Sequence, residues 1–121
     1  MSTRAQAFIK GTKIYLYQHY DGYNLFDEVV EAIKSDNGKY TRDEDEYVAR
    51  VIFDAMTSKT SPSMPKYSGF GIGNELHSDI DFLVVVDCKK KVITEKENRL
   101  DKWSIKRSYD WGKDGCDEKI P

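Results

Sequence analysis

Two aspartates separated by a single residue, Asp79 and Asp81, are the residues whose types and spacing suggest chemistry most directly. They lead into the apolar run 82–86, which reads as a strand. Carboxylates at alternate positions of a strand lie on one face and can together hold Mg²⁺, and His77 would share that face. Such an ion would support nucleotidyl transfer or phosphodiester chemistry. The alternative is that these side chains form the solvent-exposed beginning of a strand.

The surrounding string, GFGIGNELHSDIDFLVVVD over 69–87, is similar to the metal-binding segment of polymerase-beta-type nucleotidyltransferases. In those enzymes a Gly-Ser loop and a helix precede the aspartates, and the N-terminus of the helix binds the triphosphate. Here Gly71-Ile72-Gly73 replaces the Gly-Ser pair, and the five residues 74–78 are too few for a helix. The next predicted strand carries no carboxylate before Glu95. We therefore expect no catalytic residues, with a small metal-dependent enzyme using Asp79 and Asp81 as the alternative.

The composition of the chain limits the classes of protein to which it can belong. The 121 residues carry a net charge of −2, with 39% hydrophobic and 33% charged residues, which is typical of one soluble domain. The nearly neutral charge argues against a duplex nucleic-acid partner, which needs a basic face. No apolar run approaches the roughly 20 residues of a membrane span, and the N-terminus lacks a signal-peptide core, so we expect a cytoplasmic protein. Cys88 and Cys116 lack metal-site spacing, so we expect free thiols, no metal centre and no cofactor.

Hydrophobic periodicity and capping signals predict an α+β domain, with a mostly antiparallel sheet of about five to six strands and two helices packed on one face. Strands are predicted over 3–9, 13–20, 80–86, 92–94 and 102–111, and a loop over 57–68. One helix should run from Asn24 to Asp36, and the other should begin at a capping box, Thr41 and Glu44. We assign residues 1–111 to a single ligand-binding domain and 112–121 to a polar tail.

Side-chain patterns predict which faces are shared. The first helix carries one apolar stripe: Phe26, Val29, Val30 and Ile33. The stripe of the second comprises Tyr47, Val48, Val51, Ile52, Ala55 and Met56. The second strand places Tyr15, Tyr17 and His19 opposite Ile14, Leu16, Gln18 and Tyr20.

The last strand points to a ligand. If it alternates strictly, Arg107 shares a face with four apolar or aromatic side chains, Trp103, Ile105, Tyr109 and Trp111. A guanidinium among aromatic rings must find an anion or stack, because an unpaired charge in an apolar setting is costly. A phosphate is one such anion, since the planar guanidinium binds it bidentately. The alternatives are an arginine that snorkels at the sheet edge, or an internal ion pair.

A glycine-rich string, 69–74, is the second feature that points to a ligand. Alternating glycines let backbone N–H groups approach a phosphate closely, although a flexible turn explains them as well. Phe70, with Tyr17 and Tyr23, could stack on a base or close a pocket, and Phe82 is either core or pocket floor. The predicted ligand-binding residues are Tyr17, His19, Tyr23, Phe70, Gly71, Asn74, Phe82 and Arg107. His19 and Asp21 could instead form an acid–base pair, but no nucleophile lies near them in the sequence.

Three stretches carry a resemblance to a known family: STRA over 2–5, KIYLYQHYDGY over 13–23 and IDFLVVVD over 80–87. Over most of residues 2–111 the chain resembles the first-described family of phage Thoeris anti-defence proteins. The resemblance implies a non-enzymatic protein that works as a sponge, binding and sequestering the cyclic ADP-ribose signals of bacterial TIR-domain proteins.

The same resemblance implies a partner and a location. The ligand would be glycocyclic ADP-ribose or a related isomer, and some members also hold cyclic oligonucleotides at a separate site. Members work as a dimer or higher oligomer, with a hexamer among the alternatives, and hold the ligand between subunits by aromatic and arginine residues. They act in the cytoplasm of the host bacterium.

Overall fold

The fold, in a computed structural model that describes residues 3–39, 44–58 and 69–112, is a six-stranded sheet with two helices on one face. In chain order the elements are β1 (Ala5–Ile9), β2 (Ile14–Gln18), α1 (Leu25–Asp36), α2 (Asp45–Thr57), β3 (Phe70–Gly73), β4 (Phe82–Asp87), β5 (Val92–Arg99) and β6 (Lys102–Asp110). A 3-10 turn, Gly22–Asn24, precedes α1. The predicted α+β class and mostly antiparallel sheet are confirmed.

The strand order, β3-β2-β1-β4-β5-β6, places β4 in the interior of the sheet, as its apolar run predicted. Among the described strands only β1 and β4 pair in parallel. A parallel pair needs a long crossover connection, and the helices lie within it. α1 packs against β1 and β5, and α2 against β2, so neither of the described helices lies on the opposite face, here called the open face.

The core lies between the helices and the sheet. The predicted stripe of α1 is confirmed, because all four of its residues are buried. The stripe of α2 is correct at Val48, Ile52 and Met56 but wrong at Tyr47, which is 50% exposed. Ala49 is buried in its place, because the side of α2 that meets α1 and β2 is centred on Val48 and Ile52.

Several predicted boundaries are wrong. β4 begins at Phe82 rather than Ile80, and β5 continues to Arg99 rather than ending at Thr94. α2 begins at Asp45, because Glu44 has an extended backbone and makes no capping hydrogen bond with its side chain. Thr41, most of the predicted loop (59–68) and the tail from 113 onward lie outside the described residues.

The glycine-rich string is an edge strand, not a loop. β3 pairs antiparallel with β2, and Gly71 lies opposite Tyr17. Glycine has a low strand propensity and no side chain to contribute to an alternating pattern, so local sequence could not reveal this strand. Four strands therefore follow the helices, rather than the predicted three.

The strict alternation predicted for β6 is also wrong. Glu95 pairs with Arg107 and Lys96 with Ile105, so Lys106 is an extra residue in a β-bulge. Two residues of β6 then oppose one of β5, and the strand changes phase. Arg107 and Tyr109 consequently lie on the helix-covered face, whereas Ile105 lies on the open face.

Candidate ligand-binding site

The predicted ligand residues separate into two groups on opposite faces of the sheet. Phe82 and Arg107 lie on the helix-covered face near β6, and Tyr17 and His19 lie on the open face near β3. We call the first group, with its contacts, the Arg107 cluster: Phe26, Asp27, Phe82, Glu95, Lys106 and Arg107. The second is the Tyr17 cluster: Arg4, Gln6, Tyr17, His19, His77 and Asp79.

Four predicted residues lie outside both clusters, and one of them, Gly71, lies on β3 opposite Tyr17. Phe70 faces the helices from the β3 edge and packs partly against the core. Asn74 is exposed directly after β3. Tyr23, 51% exposed, belongs to the 3-10 turn before α1, whose first turn supplies Phe26 and Asp27 to the Arg107 cluster.

The guanidinium of Arg107 is held from three sides. Its Nε donates to Glu95 Oε1 at 2.7 Å, and its Nη atoms donate to the two carboxylate oxygens of Asp27 at 3.2 and 3.5 Å. The ring of Phe26 lies beneath it, with the guanidinium carbon 4.5 Å from the ring centre. Of the alternatives drawn from the sequence, the internal ion pair is the arrangement observed.

Electrostatics keep this arginine charged. Burial alone would lower the pKa of Arg107, but the hydrogen bonds and charges of Glu95 and Asp27 outweigh burial and raise the pKa. Glu95 is fully buried, and its second carboxylate oxygen, Oε2, has no hydrogen-bond partner among the described residues. Arg107 is therefore the main group that compensates a buried charge.

A second cation lies beside the first. The ammonium of Lys106 lies over the ring of Phe82, 5.1 Å from its centre, and the lysine is exposed. The bulge makes this possible, because it places Lys106 and Arg107 in succession over rings of the helix-covered face. Two cations supported by aromatic rings can bind an anionic group of a ligand.

The Tyr17 cluster combines three rings and one arginine. The hydroxyl of Tyr17 lies 2.9 Å from His19 Nδ1, and its ring centre lies 4.8 Å from that of His77. Arg4 donates to Asp79 Oδ2 at 2.7 Å. Burial raises the pKa of the Tyr17 hydroxyl; the charge of Arg4 opposes this effect and that of Asp79 adds to it.

A buried glutamine holds His77 in this cluster. The side chain of Gln6 donates to the carbonyl of Glu75 at 3.0 Å and accepts from the N–H of His77 at 2.8 Å. The segment after β3 is thereby held against the open face of β1. Beside it, Gly71 and Gly73 lie opposite Tyr17 and Tyr15 without side chains, so the sheet surface next to these rings is bare backbone.

The metal hypothesis for His77, Asp79 and Asp81 loses its geometric basis. The three residues precede β4, so strand alternation does not align them. Asp79 is paired with Arg4, and Asp81 accepts the backbone N–H of Arg4 at 3.2 Å. Within residues 3–39, 44–58 and 69–112, no group of three His, Cys, Asp or Glu side chains could hold a metal ion.

The acid–base pair of His19 and Asp21 does not form. His19 Nδ1 is engaged by the Tyr17 hydroxyl, whereas the carboxylate of Asp21 accepts a long hydrogen bond from Tyr23 at 3.4 Å. The chain turns away at Asp21, which has a left-handed backbone with φ of 53°.

Sequence reasoning missed five residues of the two clusters: Arg4, Gln6, Asp27, Glu95 and Lys106. The burial of Glu95 could have been predicted from the sequence. It follows Ile93 by two positions in a strand, so the two side chains lie on the same buried face. Strict alternation of the last strand would place Lys106 on the face opposite Arg107, whereas the bulge places it beside Arg107. Asp27 lies 80 residues from Arg107 in sequence, so no local pattern joins them.

Comparisons with protein-family models, with curated protein sequences and with solved structures gave no match. Among the described residues, no helix has the length and apolar character to cross a membrane.

Proposed function

We propose that this protein binds a cyclic ADP-ribose-type signal, glycocyclic ADP-ribose, and sequesters it unchanged in the cytoplasm of the host bacterium, where Thoeris immunity is thereby blocked. The observation that carries the proposal is the Arg107 cluster. It presents two adjacent cations on aromatic supports.

The chemistry of the ligand matches these groups. A cyclic ADP-ribose carries a diphosphate and an adenine ring. The planar guanidinium of Arg107 suits bidentate binding of phosphate oxygens, and Lys106 adds a mobile point charge. Tyr23 is available for stacking on a base, whereas Phe82 is buried beneath Lys106 and supports the cation instead.

The separation of the two clusters supports an assembly of several copies. Tyr17 on β2 and Arg107 on β6 are four strand steps apart, about 19 Å at the usual strand spacing, and face opposite sides. One compact ligand contacts both clusters only if a second copy of the chain supplies one of them. We therefore propose that the ligand is held between subunits of a dimer or higher oligomer.

The deciding experiment is a calorimetric titration with glycocyclic ADP-ribose, followed by heat denaturation and chromatography of the released ligand. Tight binding and recovery of unchanged ligand would support a sponge. Absence of binding would overturn the proposal. Conversion of the ligand would indicate an enzyme, and Asp79→Asn and Asp81→Asn would then be tested with Mg²⁺.

A paired substitution locates the site. Lys106→Ala should weaken binding about 10- to 100-fold, the range for loss of a charge-assisted hydrogen bond. Lys102→Ala removes an exposed lysine four residues earlier in the same strand and should leave the affinity unchanged. Equal effects of the two variants would mean that the Arg107 cluster is not the binding site.

A further inference from the structure

The two carboxylates that hold Arg107 differ sharply in exposure. The side chain of Glu95 is fully buried, whereas that of Asp27 is 59% exposed. The hydrogen bond from Arg107 to the buried Glu95 is short, at 2.7 Å, whereas those to the exposed Asp27 are longer, at 3.2 and 3.5 Å. Bonds near 3.5 Å are weak, and exposed ion pairs are screened by water and salt.

The inner half of this arrangement is costly to break. Glu95 Oε2 has no partner among the described residues, so moving Arg107 away would leave a buried carboxylate without compensation. The Phe26 ring supports the guanidinium from below at 4.5 Å. The outer edge of the guanidinium, formed by its two Nη atoms, is bound only by Asp27 among the described residues.

We propose that Asp27 is a built-in competitor, whose carboxylate occupies the outer edge of Arg107 and is exchanged for a phosphate or diphosphate group of a ligand. A carboxylate and a phosphate present the same pair of acceptor oxygens to a guanidinium, and the phosphate carries more charge. Glu95 and Phe26 keep the guanidinium in place during the exchange. As far as it concerns the natural ligand, this inference rests on the proposed function; the exchange itself concerns any phosphate-bearing anion.

Exchange predicts that removing the charge of Asp27 strengthens anion binding. Asp27→Asn keeps the size and the oxygen acceptor of the side chain, but the ion pair with Arg107 is lost. Affinity for inorganic pyrophosphate should rise roughly two- to fivefold, the range for removal of an exposed ion pair. The gain should shrink as salt is added.

A matched control separates exchange from a general charge effect. Glu31→Gln removes an exposed carboxylate from the same helix, four residues further along, and changes the net charge equally. Both variants are titrated with inorganic pyrophosphate by calorimetry, after circular dichroism confirms that they are folded. We expect the affinity for pyrophosphate to rise in Asp27→Asn alone. An equal rise in both variants, or no rise in either, would overturn the exchange.

The signal of the Arg107 Nε–H group in NMR spectra provides a second readout. Since its bond to Glu95 persists during exchange, this proton should remain protected when pyrophosphate saturates the protein, while the Asp27 signals shift. Loss of the protection would show that the whole arginine moves, contrary to the proposal.

The two proposals fail separately. If glycocyclic ADP-ribose binds but Asp27→Asn does not raise the affinity for pyrophosphate, the proposed exchange is wrong and the proposed function stands. If Asp27→Asn raises the affinity for pyrophosphate while glycocyclic ADP-ribose does not bind, the exchange stands and the proposed identity of the ligand is wrong.

Discussion

At the residue scale, Arg107 compensates the buried Glu95, and in the proposed site its outer edge would also bind the anionic ligand. Its removal would therefore confound a binding measurement with a loss of stability. Lys106, which is exposed and rests on the Phe82 ring, is the cleaner test of binding.

Arg107→Ala should lower the free energy of unfolding by about 3 kcal/mol, because Glu95 is left buried without its partner. The figure is at the lower end of the range for broken buried pairs, since the Arg107 side chain keeps 23% exposure. Urea denaturation measures the change. Arg99→Ala, which removes an exposed arginine paired with Glu97, is the control and should cost less than about 1 kcal/mol. A similar loss for both variants would contradict this account.

The raised pKa of Tyr17 has a consequence for stability in alkali. Its hydroxyl is more easily ionised in the unfolded chain, where the pKa is near 10.0, than in the fold. The contribution of the protonated Tyr17 hydroxyl to the free energy of unfolding is thus fully present below pH 10.0. It is lost as the pH rises through the folded pKa of Tyr17.

Tyr17→Phe should therefore differ most from the parent protein near neutral pH, and the difference in unfolding free energy should narrow above pH 10.0. Urea denaturation at a series of pH values measures this difference. Tyr47→Phe, which removes a hydroxyl from the exposed side of α2, is the matched control. A difference that stays constant through the alkaline range would refute the assignment.

At the scale of elements, the approach to α1 determines where Asp27 and Tyr23 lie. Gly22, in the 3-10 turn, donates its N–H to the carbonyl of Thr3 at 2.8 Å. A Cβ at this position would lie 2.7 Å from that carbonyl oxygen and 2.9 Å from Ala5 Cβ. Neither is the end of a flexible side chain, so the turn would have to shift.

Gly22→Ala should destabilise the fold by about 1–3 kcal/mol through this overpacking. It should also displace the start of α1 and weaken the contact between Asp27 and Arg107. Gly73→Ala is the control, because a Cβ there meets nothing within 4 Å. Thermal denaturation of both variants tests the point, and equal melting temperatures would contradict it.

At the scale of the whole molecule, the sheet separates the Tyr17 cluster from the Arg107 cluster. A ligand shared between copies would need the first cluster from one chain and the second from another. Substitutions in the two clusters should then complement each other across subunits.

Lys106→Ala and Tyr17→Ala should each weaken binding of glycocyclic ADP-ribose when tested alone. Refolding the two variants together should restore tight sites in the mixed oligomers, because those contain one intact pair of clusters. Calorimetric stoichiometry measures the restored fraction, and the same two variants mixed without refolding are the control. If mixing restores nothing, the site lies within one chain.

The sequence by itself determined the class of the fold, the buried stripe of α1 and the interior position of β4. Each depends on a local period of hydrophobic residues, which the chain carries whatever its partners are. It also indicated that Arg107 needs an anion or a stacking partner, because an unpaired charge in an apolar setting is costly.

Only the tertiary structure decided which anion Arg107 meets and which residues surround it. The strand of Gly71 and Gly73 exists because β2 supplies its hydrogen bonds, and the bulge at Lys106 exists because β5 sets the register. Asp27 and Arg107 meet across 80 positions of sequence, and Gln6 holds a segment about 70 positions away. Pairings of this kind depend on strand register and helix placement, which are properties of the assembled sheet rather than of any local stretch of sequence.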